Sequence, residues 1–176
     1  MVNNIKVAVI LLGAATLLIG CSGIPSGVTV VQDFELDRYL GQWYEIARLD
    51  HSFERGLSHV TAEYKLRPDG RIDVLNRGYN PAKDTWQNAR GIARSAGNPA
   101  VGSLKVSFFG PFWADYHIIA LDKDAYQYAM VTSSTRDYLW ILARTPTLDE
   151  SVLNDLLKKA ADLNYAIDKL IYPEHN

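Results

Sequence analysis

The sequence offers one thiol, four imidazoles and no recognisable catalytic string. His51, His59, His117 and His175 lack the mutual spacing of a metal site, so each reads as a solvated or hydrogen-bonded structural residue. There is no Gly-x-Ser-x-Gly elbow, no His-Glu-x-x-His, no glycine-rich phosphate loop and no Cys-x-x-Cys. The thiol, Cys21, is the sole cysteine, which excludes a disulfide within the chain. It follows an apolar and small-residue run over residues 7–20. Behind an export signal, an unpaired exposed thiol is a liability that acylation removes. These residue types point to no enzymatic activity, no cofactor and no metal.

The elements around Cys21 agree with that reading. Lys6 precedes the apolar run, whose 14 residues fall short of the roughly 20 a helix needs to cross a bilayer, so the segment reads as a secretory signal. Leu18-Ile19-Gly20-Cys21 resembles the lipobox of bacterial lipoproteins. The resemblance implies cleavage after Gly20 and acyl chains such as palmitate on Cys21. Ser22 stands where Asp favours inner-membrane retention in such proteins, which implies the outer membrane with the body facing the periplasm. Residues 1–20 are then a signal peptide, residues 21–29 a flexible lipidated tether rich in Ser, Gly and Pro, and residues 30–176 a single folded domain. A net charge of −2 with interspersed signs provides no basic stripe for nucleic acid.

The body is patterned as an all-β domain. Runs rich in Val, Ile, Tyr, Phe and Trp at 43–49, 59–67, 71–79, 85–93, 104–109, 116–121, 126–132 and 138–144 are separated by Gly, Pro, Asn and Asp. Val60, Ala62, Tyr64 and Leu66 alternate with polar neighbours, as do Leu104, Val106 and Phe108, giving each strand a dry and a wet face. Short connections, such as Pro68-Asp69-Gly70, predict an antiparallel up-and-down meander. Closing it removes both unpaired edges and makes an eight-stranded barrel wide enough for one small ligand. Thr147-Leu148-Asp149-Glu150 reads as a capping box opening an amphipathic helix carrying Val152, Leu153, Leu156, Leu157 and Ala160. The run at 138–144 is apolar on both faces, so that helix is expected to cover its outer side. Residues 165–172 could add a last strand.

Gly41-Gln42-Trp43 opens the first strand and Arg144 ends the eighth, immediately before the helix. With Gly78-Tyr79-Asn80-Pro81, the string from Lys105 to Phe112 and Asp137-Tyr138-Leu139-Trp140-Ile141-Leu142, they resemble the lipocalins, and among them the bacterial outer-membrane lipoproteins and the relatives of apolipoprotein D. Leu121-Asp122 and Tyr126 depart from the family's Thr-Asp-Tyr form. The resemblance implies that Gly41, Trp43 and Arg144 close one end of the barrel, with the guanidinium over the indole. It also implies a calycin-type cavity for a fatty acid, a lysophospholipid or a similar amphiphile.

By alternation Tyr64, Leu66, Val106 and Phe108 face inward, and, if Arg144 faces Trp43 as the resemblance implies, so do Tyr138 and Trp140. In lipocalin topology the loop after the first strand overhangs the open end. It offers Phe53 and Leu57 as a lid and Arg55 as a contact for a carboxylate or phosphate headgroup. Phe112 and Trp113 sit on the rim, suited to a membrane or to a partner such as a second copy in a homodimer. The function implied is storage or transport of lipid for envelope maintenance. The alternatives are an envelope interaction protein with a closed barrel, or an enzyme acting on lipid in the cavity.

Overall fold

The computed structural model describes residues 23–175. The signal segment and Cys21 lie outside the described residues. Eight antiparallel strands follow one another: β1 Gly41–Leu49, β2 Ser58–Leu66, β3 Ile72–Asn80, β4 Thr85–Ser95, β5 Ser103–Ser107, β6 Ala114–Leu121, β7 Tyr128–Thr132 and β8 Leu139–Ala143. Each pairs with the next, and β1 also pairs with β8, which closes the barrel. A short helix, α1 Leu36–Tyr39, precedes them, and α2 Glu150–Asp162 and a two-residue strand, β9 Leu170–Ile171, follow.

One face of the sheet builds the interior. Trp43, Tyr64, Ile72, Val74, Ala93, Leu104, Val106, Ile118, Val131 and Leu142 form a buried cluster inside the barrel. The opposite face of β1, β7 and β8 is equally dry: Ala47, Leu49, Met130, Leu139, Ile141 and Ala143 meet Leu156 and Ala160 of α2. The helix therefore covers the strand that was apolar on both sides. Its start differs from expectation. Asp149, not Thr147, is the N-cap, accepting from the Ser151 amide at 2.8 Å, because residues 145–148 form a turn that delays the helix.

The expected last strand shrinks to β9. Its partner is the C-terminal end of β1, through Arg48↔Ile171 and Leu49↔Leu170. This edge is free because β1 pairs with β2 only through Gly41–Tyr44 before the two diverge.

Residues 23–29 are docked on the body instead of hanging as a loose tether. Pro25 is buried, Arg136 donates to the Ser26 carbonyl, and His117 Nε2 donates to the Gly23 carbonyl at 3.2 Å. Their Ser, Gly and Pro content signalled flexibility, but partners distant in sequence hold the Gly23 and Ser26 carbonyls.

Candidate functional site

The strands end in two unlike rims. At one, residues 30–34 cross the barrel, with Val31 N donating to Ile118 O and Phe34 N to Ala100 O, and α1 lies over the bottom. Trp43 is fully buried here, its Nε1 donating to Tyr39 O at 2.8 Å. The Arg144 guanidinium stands 3.8 Å above the indole centroid and donates to the carbonyls of Arg38, Gln42 and Tyr126. Gly41 has φ +92°, a conformation that favours glycine, and an added Cβ would stand 3.5 Å from the Arg144 guanidinium. This end is corked.

Tyr64 belongs to the cork. Its hydroxyl donates to Tyr116 at 3.0 Å, and Tyr116 shares a 2.7 Å bond with Tyr39. Burial pushes the Tyr64 hydroxyl up to about 12 and raises the other two well above the usual phenol, so all three remain neutral at physiological pH. Leu66 does not face the cavity. It is 50% exposed at the last position of β2, beyond Tyr64 and beside the hairpin turn, where the strand outruns the interior.

The opposite rim carries the polar groups. Inside it, Glu45 and Arg48 form a buried ion pair, and Arg48 also donates to the carbonyls of Glu54 at 2.8 Å and Leu57 at 3.2 Å. The Glu54 carboxylate accepts from Trp140 Nε1 at 3.1 Å and lies 3.1 Å from His51 Nε2. His51 packs against Trp140 and Tyr138, whose rings stack 5.9 Å apart.

Burial, reinforced by the Glu54 charge, pushes the Glu45 carboxyl well above the usual carboxylate range despite Arg48. Burial acts on Glu54 in the same direction. The hydrogen bond and charge of His51, with the Trp140 bond, outweigh it and hold Glu54 below its ordinary value. Arg48 Nε and His51 Nδ1 are buried there without hydrogen-bond partners.

The loop after β1 does fold over this rim, but with other residues than expected. His51 and Glu54 turn inward, whereas Phe53 is 69% exposed and Arg55 points to solvent, paired with Asp50 at 2.8 Å. Arg55 is thus placed away from the interior, and the buried cation is Arg48.

Strict alternation from Trp43 would put Arg48 outside. A β-bulge between Glu45 and Ala47 shifts the parity by one residue, so Trp43, Glu45 and Arg48 share the inner face. The signal available was the string itself, in which two opposite charges sit among Trp43, Tyr44, Ile46, Ala47 and Leu49.

Val106 is buried and Phe108 half-buried in the interior cluster. Phe108 fits because Gly91 faces it, where an added Cβ would lie 2.8 Å from the ring and 2.7 Å from Ser107 O. Tyr138 and Trp140 lie beside the polar cluster. Two grooves occupy the outer surface. One, of about 210 Å³, lies between β1, β2 and the C-terminal His175; the other, of about 480 Å³, lies below the loop that carries Trp113.

The profile of the lipocalin-like domain matches residues 34–175. The chain is 49% identical over 165 residues to the outer membrane lipoprotein Blc of Vibrio cholerae, covering 94% of this chain and 96% of that one. It is 51% identical to the protein of that name from Escherichia coli K12 over 161 residues, 90% of each chain. Among solved structures, insecticyanin from the tobacco hornworm superposes with a TM-score of 0.69 over 85% of both chains at 23% identity, which speaks to the fold. The corked barrel, the external helix and these matches together place the chain in the lipocalin family, to which it belongs as a bacterial outer-membrane lipoprotein.

Proposed function

We propose that this lipoprotein carries a single-chain amphiphile, a fatty acid or lysophospholipid, in its barrel and serves envelope lipid maintenance as a non-enzymatic store or shuttle. Cleavage after Gly20 and acylation of Cys21 hold it on the outer membrane with the barrel in the periplasm.

The observation that supports this reading most is the layering of the interior. An apolar lower barrel lies beneath a polar cluster in which Arg48 and His51 each keep an unpartnered donor or acceptor. An acyl chain gains about 0.8 kcal/mol per buried methylene without specific contacts. An anionic head at the cluster would satisfy Arg48 Nε by a charge-assisted bond.

One observation favours a second reading, an interaction protein whose barrel is closed: His51 and Glu54 themselves occupy the open end. Titrating the delipidated full-length protein in mild detergent with a fluorescent fatty acid, and displacing it with unlabelled palmitate or lysophospholipid, separates the two. Saturable, displaceable binding is the expected result. No binding of either lipid class would sink the carrier reading and leave the closed barrel.

A further inference from the structure

We propose that the open rim is itself a membrane-docking surface, so that the mouth of the barrel is held against the bilayer. The first observation is where the described chain begins. Gly23 lies at the open end, since an added Cβ there would stand 2.4 Å from Asp115 Oδ2 and 3.3 Å from Ser134 Cβ. Asp115 is the second residue of β6, directly after the loop that joins it to β5, and Ser134 lies in the turn between β7 and β8. Cys21 is two residues from Gly23, a reach of at most about 7 Å. An acyl chain on Cys21, taken from the function proposed above, therefore brings the bilayer to this rim.

The second observation is the loop beside that point. Residues 107–114 contain no charged side chain, and Phe109 and Phe112 are 72% and 77% exposed. Trp113 lies beneath the Arg94 guanidinium at 4.9 Å, an aromatic ring with a cation beside it, as suits the headgroup layer. Phe53 adds a third exposed ring, from the loop after β1. Large apolar rings left in water around a lipid anchor are explained by insertion among acyl chains, and the occupant of the patch is a phospholipid surface.

Acylation leaves Cys21 without a free thiol, so an introduced cysteine is the only group that labels. Phe112→Cys and, separately, Phe109→Cys carry an environment-sensitive fluorophore in the full-length lipidated protein. Lys65→Cys, 69% exposed near the corked end, serves as the comparison. The proteins are reconstituted into phosphatidylethanolamine and phosphatidylglycerol vesicles with or without acyl-brominated lipid. The expected result is at least twofold quenching at 112 and 109 by the brominated lipid, with a blue-shifted emission, and none at 65.

Emission at 112 and 109 as wet as at 65, or equal quenching at all three, overturns the proposal. So does a dry probe at 112 that brominated lipid leaves unquenched, which assigns the loop to a second copy or another protein. Mass spectrometry of the mature N-terminal peptide reads acylation independently. A bare Cys21 would refute the anchor, whatever the probes report, and the fluorescent-lipid titration tests the cavity on its own.

Discussion

Arg48 and Arg144 show how differently two cations can act in one barrel. Arg144 is a closure device whose face covers Trp43 and whose donors tie three carbonyls of the base. Arg144→Ala is expected to cost about 1 to 2 kcal/mol in urea unfolding, and Trp43→Ala about 3 to 5 kcal/mol, with ligand affinity in surviving folded protein little changed. Arg48 is buried at the opposite end, where the proposed function makes it the headgroup contact. Arg48→Met is expected to weaken binding of a fatty acid at least tenfold, whereas Arg55→Ala should leave it within twofold, because Arg55 already spends its charge on Asp50 in solvent. Equal losses in the two variants would return the headgroup to the loop surface. The closure pair was legible because its residue types and positions carry the family resemblance. Arg48 was not, because a single bulged residue reverses the inward face of β1, and alternation carries no warning of a bulge.

At the level of elements, the strands and their order could be read from short turns and from the alternation of strands such as β2 and β5, which keep one wet face. The apolar outer face of β8 likewise foretold its covering helix. What could not be read was the fate of segments held by distant partners. Residues 23–29 look like a linker in composition, yet they are pinned through His117 and Arg136.

His117 gives that docking a pH dependence. Burial holds its imidazole below the ordinary value, against the opposing pull of Asp115 and of its bond to Gly23. The folded state therefore prefers neutral His117, while the unfolded chain takes up a proton near pH 6.5. The unfolded state binds more protons below that point, so stability falls as the pH is lowered through about 6.5 towards the depressed folded value. Urea midpoints measured at pH 7.5 and 5.5 should fall more in the parent than in His117→Gln. An identical fall in both would show that His117 does not carry the effect.

At the scale of the whole molecule, the docking proposed above would line up anchor, rim and barrel interior. It would turn the corked end away from the membrane, because the polar cluster lies beneath the end to which Gly23 and the aromatic loop belong. A carrier built this way could exchange its lipid with the surface that holds it, without releasing the ligand to water. The measurement that tests the carrier reading most directly is native mass spectrometry of the full-length protein, extracted from its own membrane in mild detergent. One single-chain lipid per barrel is expected in the parent, retained as detergent is stripped in the gas phase and largely absent from Arg48→Met. A parent barrel that is bare as isolated, and remains bare after incubation with excess palmitate and lysophospholipid, would contradict it.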